Sequence, residues 1–588
     1  MLLQPGSQRA LLMREQCQRA ARRRDAETLP VSDEGRAPSS TLFDDAINYA
    51  KPSFSLVSIF HFSSICLRTS ASALPFSFPH ICLLLEGPLP LLSNLFPARH
   101  YMLPAIPNPR EYDVSVDTGF VPETLPLSQL PDPYYAPWEA VAENLQFLIM
   151  TRQLRAVVSA PSFPILSLSR LRTGPEKWRA YSILGFMAHG YIWGGPEPAE
   201  VVPDQIARPL LDLAKILEVP PLCTYAGLCL WNHRPIFADS VEPKQLDLSS
   251  LATLHTFTGS IDESWFYLVS TAIEIRGAAC IAHILEAMHA ARRDSPHDVV
   301  VALQLLAESI DTLIPMLARL PEQCDPHTFY FRIRPFLAGS KNMASAGLPR
   351  GVKYGSEGEY LQFAGGSNAQ SSLIQALDIA LGIVHRPTES SSNDESSSDA
   401  PNDSFIHEMR KYMPGPHRRF LEQLELAANI RDYVNDHKKS NSALTLAYDA
   451  CLAVLRAFRD KHIQIVSRYI IVQARTTSSA STTSSVTSSH PPSKAGIGIA
   501  GIALTDKKSA RGTGGTSLIP FLKQARDETG EPAAGSWAAR LLRDDASCGS
   551  KRKMRDAMGF GEHENQSPAV GLAGKWSMDD DYGGICHW

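Results

Sequence analysis

The stretch Ser442–Gln473, SALTLAYDACLAVLRAFRDKHIQIVSRYIIVQ, decides the fold class. Along it Tyr448, Cys451, Leu452, Leu455, Phe458, His462 and Val466 recur at three- and four-residue steps, the signature of a long helix with one apolar, inward face. Neither Pro nor Gly interrupts it. The helix carries His462 inward. A lone imidazole on such a face is either a hydrogen-bonded core residue or a metal ligand, and periodicity alone leaves both open.

The same texture continues outward. Apolar periodicity, bounded by Pro or Gly, predicts helices over Trp138–Leu154, Trp178–Trp193 and Val202–Leu217. Beyond Pro220 the predicted helices lengthen: Ile261–Arg292, His297–Leu320, Ser371–His385 and His417–Asn435. No sustained alternation points to a sheet. The expected fold is therefore mainly all-α, a large helical domain over 219–525 preceded by a smaller, mostly helical α+β domain over 102–218. The proline-rich piece Met102–Pro133 reads as an extended segment lying over a surface. Residues 1–101 differ in texture and are expected to be a disordered extension or a mispredicted start. Flexible loops are expected at 388–404, which holds the acidic run SSSNDESSSDAPNDS, and at 474–511, a Ser/Thr-rich linker. The tail 526–588 reads as loose.

Bulk chemistry narrows the function classes. A net charge of -5 gives a polyanion no reason to bind, so nucleic acid is excluded as a partner. The greasy run Pro52–Leu85 is cut by Arg68, Pro75, Pro79 and His80 before a membrane span accumulates. Early acids such as Glu15 and Asp25 break the pattern of a mitochondrial presequence. Ten scattered cysteines without a CxxC pair suit a reducing compartment, so a cytoplasmic location is expected.

Several segments could carry chemistry. Gly496, Gly498 and Gly501 satisfy GxGxxG but follow a Ser/Thr linker rather than a strand, so dinucleotide binding is rejected. GTGGTS (Gly512–Ser517) lacks the lysine of a phosphate loop and suits a mobile loop closing over a ligand. His283 and His289 share a helical face poorly, and no HExxH or paired-carboxylate pattern stands out. A single inward His462 with Arg459 one turn earlier fits haem better than zinc, because the imidazole can take the iron while the guanidinium meets a propionate. In DPHTFYFRIRPFLAGSKN, Arg332 and Arg334 sit among aromatics; each either snorkels to water or clamps a carboxylate beside an aromatic wall. Ser270 and Gly277 are small residues on the stripe of the Ile261 helix, consistent with close helix contact or with a slot for a flat ligand.

Five motifs, in order, resemble the indoleamine 2,3-dioxygenase family. They are WFYLVS (Trp265–Ser270), FAGGSNAQSS (Phe363–Ser372), RKYMPGPHRRFL (Arg410–Leu421), YDACLAVLRAFRDKHIQIVSRYI (Tyr448–Ile470) and GTGGTSLIPFLK (Gly512–Lys523). The resemblance covers about Met102 to Lys523. It implies haem b, with His462 as the proximal ligand to the iron, Asp378 accepting a hydrogen bond from that imidazole, and Arg459 near a propionate. It further implies a distal pocket lined by Tyr225, Phe266 and Ser270, an aromatic wall at Phe329, and Arg334 on the substrate carboxylate. Gly366 and Ser367 match the loop near the substrate amine, and Thr513 the closing loop. Departures from the mammalian pattern occur at Asn368, Ala338, Leu228 and Cys229, where affinity or substrate choice would change. The implied reaction converts L-tryptophan and O2 to N-formylkynurenine, with an electron donor keeping the iron ferrous, in a monomer that needs neither membrane nor nucleic acid. A haem sensor or reservoir of the same fold, and a helical interaction protein, are the alternatives.

Overall fold

The computed structural model describes residues 104–237, 247–387, 404–475 and 518–543, all within one compact unit. The segment 1–101, most of both expected loops, and Thr513 lie outside the described residues.

The principal helices are α1 (Gly174–Trp193), α2 (Asp204–Leu217), α3 (Ile261–Arg276), α4 (Ala278–Arg292), α5 (Pro296–Asp311), α6 (Ser372–Ala380), α7 (Gly415–Ala427), α8 (Ser442–Val466), α9 (Leu518–Thr529) and α10 (Ser536–Arg543). The fold is mostly helical, as expected. Helix α8 runs along α5, which in turn packs on α4, and these contacts form the spine of the core. Tyr448, Cys451, Leu452 and Leu455 are fully buried on the face that periodicity selected. Asn441 starts α8 by accepting the Leu444 amide at 3.0 Å. Helix α1 is buried on nearly every side, which matches its apolar sequence. Its start is a reciprocal cap: Thr173 Oγ1 accepts the Glu176 amide, and the Glu176 carboxylate takes the Thr173 hydroxyl and the Arg172 amide.

Among the described residues, two small sheets complete the scaffold. Strand β1 (Val201–Val202) pairs parallel with β4 (Val352–Tyr354), which pairs antiparallel with β5 (Tyr360–Leu361); β2 (His233–Pro235) pairs antiparallel with β3 (Leu251–Thr253). The β1–β4 pair, in register Val201↔Lys353, ties the region before 218 to the region after it. His189 Nδ1 also lies 2.8 Å from the Phe336 carbonyl, and Trp193 Nε1 donates to the Ala338 carbonyl at 3.0 Å. One hydrophobic core therefore crosses the boundary expected near 218.

Other differences have local causes. The single helix expected over Ile261–Arg292 is broken at Gly277, where a Cβ would stand 2.1 Å from Leu373 Cδ2; the glycine lets α6 approach closely. Met102–Pro133 does not merely lie on a surface. Val114, Phe120 and Val121 are buried, and Phe120 meets Phe420 and His417 edge-on. The tail expected to be loose from 526 is helical to Thr529, where Glu528 and Thr529 are buried partners of other side chains, and again over α10, where Ala538 and Leu542 are buried and Arg456 donates to the Leu542 carbonyl.

Candidate active site

A cavity of about 250 Å³ opens between α3, α6, α8, α9 and the glycine-rich loop before α6. Its walls are predominantly apolar. Three wide, π-type helical turns border it, Ala226–Leu230, Phe329–Ile333 and Ser467–Ile471. Such turns insert one extra residue, re-aiming the side chains around them.

Helix α8 contributes Phe458, Arg459, His462 and Val466 to the wall. Among the described residues the His462 ring makes no hydrogen bond or ion pair. Burial, with the nearby Arg459 charge adding to it, pushes its pKa down to about 4, so the imidazole is neutral and its nitrogen lone pair is available.

Arg459 is committed elsewhere. Its Nη2 donates to both oxygens of Asp378, at 2.7 and 2.8 Å, while Nη1 donates to the Ala525 carbonyl and the Thr529 hydroxyl of α9. Asp378, on α6, also meets His385 Nε2 at 3.0 Å, and His385 Nδ1 lies 2.6 Å from Glu528 Oε2. Burial opposes ionisation of Asp378, but Arg459 and His385 outweigh it and hold the carboxyl below its ordinary value. Burial likewise opposes charge on His385, yet the two flanking carboxylates raise its pKa. The bond expected between Asp378 and His462 is not among those the carboxylate makes. The reason is electrostatic: a guanidinium and a raised-pKa imidazole compete for the same oxygens better than a neutral ring does.

On the other side, Phe266 and Ser270 project from α3, and the Phe266 and Phe329 rings lie 4.7 Å apart at 42°. Arg334 follows the second π-type turn, lines the cavity, and holds its guanidinium carbon 5.4 Å from the centre of the Tyr330 ring. Burial lowers its pKa. Its neighbour Arg332 is exposed, so the two arginines divide the alternatives: one goes to solvent, the other to the cavity. Ser270 lines the cavity whereas Gly277 serves helix contact.

Tyr225, Leu228, Cys229, Gly366, Ser367 and Asn368 also border the space. Ser367 caps the turn that follows it by accepting the Ala369 amide. Ala338 is not on this wall; its carbonyl receives Trp193 instead. Sequence reading missed Glu274, His385, Glu528 and the α9 face. Glu274 stands four residues after Ser270, and Leu518, Phe521, Leu522 and Ala525 follow helical spacing, so both signals were present.

The indoleamine 2,3-dioxygenase family model matches residues 108–532, a span that holds every one of these wall residues. The chain belongs to the indoleamine 2,3-dioxygenase family. It is 45% identical over 428 residues to an indoleamine 2,3-dioxygenase of Saccharomyces cerevisiae, covering 72% of this chain and 93% of that one. An indoleamine 2,3-dioxygenase of Aspergillus nanangensis is 38% identical over 71% of this chain and 95% of its own. A 6-hydroxytryptophan 2,3-dioxygenase of Fusarium equiseti is 37% identical over 73% and 98%. Indoleamine 2,3-dioxygenases are haem-dependent enzymes that oxidise tryptophan with O2, and the match extends past Lys523 to include Glu528.

Proposed function

We propose that this enzyme binds haem b through His462 and opens the indole ring of L-tryptophan to give N-formylkynurenine. The observation that carries the reading is the neutral His462 imidazole, without a hydrogen bond among the described residues, on the wall of an apolar cavity. An imidazole whose lone pair no described residue uses can give it to a ligand. Apolar side chains of α8, α3 and α9 suit a macrocycle. When bound, ferrous haem supplies the site and the electrons for dioxygen chemistry.

The chain's own residues supply placement. Arg334 holds the substrate carboxylate with two parallel N–H donors, and Phe266 and Phe329 flank the indole. Apolar walls exclude water from the reacting atoms. No strong protein base is required, because the indole nitrogen lone pair drives electron flow. We further assign the chain to the cytoplasm, as a monomer served by a separate electron donor, in tryptophan catabolism leading toward NAD.

The test pairs two readouts on purified protein. Wild type is expected to show a Soret band and to form N-formylkynurenine under reducing conditions, and His462→Ala is expected to lose both while keeping its helical circular dichroism. A normal Soret band in His462→Ala would overturn the ligand assignment. Haem binding without product would favour a sensor.

A further inference from the structure

One buried acid on the cavity wall has no part in that scheme. Glu274 is 1% exposed, and its Oε1 accepts the Tyr225 hydroxyl at 3.0 Å and the Ser371 hydroxyl at 2.5 Å. Its Oε2 is buried with no hydrogen-bond partner among the described residues. Tyr225 is further held by its amide, which donates to Gln370 Oε1 at 2.9 Å, and Ser371 is the N-cap of α6. A single carboxyl oxygen thus gathers three pieces of the wall: the Tyr225 turn, α3, and the entry to α6.

We propose that Glu274 is a positioning residue for the substrate cavity: as a neutral acid it joins Tyr225, α3 and the start of α6, and its ionisation, by placing charge on the bare Oε2, favours a turn of the carboxylate toward water that breaks this junction and weakens substrate binding. The proposal rests on this cavity being the substrate site. An ionised carboxylate needs donors on both oxygens, and here both donors go to Oε1. Leaving a charged Oε2 buried and bare is costly; a proton on it removes the charge. The titratable groups facing Glu274 are Tyr225 and Cys229, both kept protonated by burial, and no Lys, Arg or His pairs with it among the described residues. Nothing nearby compensates a negative charge. Burial accordingly lifts the Glu274 pKa to about 7, against the pull of the Ser371 and Tyr225 hydroxyls, so the acid changes state near neutrality.

The consequence is a substrate affinity that falls with rising pH. If only the neutral form is competent, apparent affinity scales with its fraction, and KM for L-tryptophan is about tenfold higher at pH 8 than at pH 6. Glu274→Gln retains the Oε1 acceptor but cannot ionise, so its KM ratio between the two pH values is expected to be near one. Ser371→Ala removes a donor that favours the charged form, so the midpoint of the KM profile should move to higher pH. Infrared difference spectra give a second readout: a protonated-carboxyl C=O band that titrates near neutrality and is missing from Glu274→Gln. A flat wild-type profile, or the same profile in wild type and Glu274→Gln, would overturn the proposal. Absence of tryptophan turnover at every pH would count against the substrate reading instead; the infrared band then decides the matter, and its absence from wild type overturns the role of Glu274.

Discussion

Asp378 and Arg459 meet through two hydrogen bonds of 2.7 and 2.8 Å in a buried pocket at the cavity edge, so α6 and α8 are joined by charge as well as by packing. The same guanidinium reaches Ala525 and Thr529, and the same carboxylate reaches His385, which reaches Glu528. Alternating charges therefore connect α8 to α9. Removing Asp378 leaves the Arg459 guanidinium buried without its carboxylate. Asp378→Ala is expected to lower stability by about 3 to 5 kcal/mol, the usual cost of stranding half of a buried pair. Urea unfolding monitored by circular dichroism measures it; a loss under about 1 kcal/mol would mean that the network is not coupled in this way.

Gly366 has a tighter constraint than its loop position implies. A Cβ there would stand 2.5 Å from Leu228 Cδ1 and 3.2 Å from the Cys223 carbonyl oxygen. Leu228 lines the cavity, so Gly366→Ala is expected to push that side chain into the substrate space. We expect KM for L-tryptophan to rise by about tenfold, equivalent to about 1.4 kcal/mol. Gly366→Ala combined with Leu228→Ala should recover most of the loss. Failure of the double variant to recover would place the strain at the Cys223 backbone instead.

Much of this architecture was legible because burial leaves a period in the sequence. Helix α8 announced itself by its apolar face, and His462 on that face could be placed inward before any fold was known. Periodicity failed where the backbone departs from a regular helix. Phe329 and Arg334, five residues apart across the π-type turn Phe329–Ile333, both reach the cavity, a spacing that an ideal helix does not select. It failed also where partners are remote. His385 is seven residues from Asp378 but 143 from Glu528, and nothing local in a polar C-terminal stretch says that its carboxylate is buried against an imidazole.

Protonation of His385 gives stability a defined pH dependence. Its pKa is raised in the folded protein, so its contribution is fully present below the ordinary histidine value, about 6.5, and is lost as pH rises through the folded value. His189 and His233 behave in the opposite sense. Burial pushes both down to about 4, so their contribution is present above 6.5 and lost as pH falls toward 4. Wild type should thus weaken on both sides of a maximum near neutral pH. Between pH 6 and pH 8.5 the urea midpoint of wild type is expected to fall more than that of His385→Gln, since the variant has no imidazole to discharge. Parallel midpoints for the two proteins would show that His385 is already neutral at pH 6.

Arg334 provides the sharpest test of how substrate is held. A guanidinium fork matches a carboxylate in two parallel bonds, a geometry that lysine cannot reproduce. Truncating one partner of a desolvated charge pair costs about 2 kcal/mol or more, which corresponds to a rise in KM of about thirtyfold or more at room temperature. Both Arg334→Ala and Arg334→Lys are therefore expected to raise KM for L-tryptophan by at least that factor, with Soret bands like that of wild type. Tryptamine, which keeps the indole and the amine but lacks the carboxylate, separates this role from general damage to the pocket. Its binding, followed by perturbation of the Soret band, should be the same in wild type and in both variants. Equal loss of tryptophan and tryptamine binding would mean that Arg334 shapes the cavity through its contact with Tyr330 rather than by gripping the carboxylate.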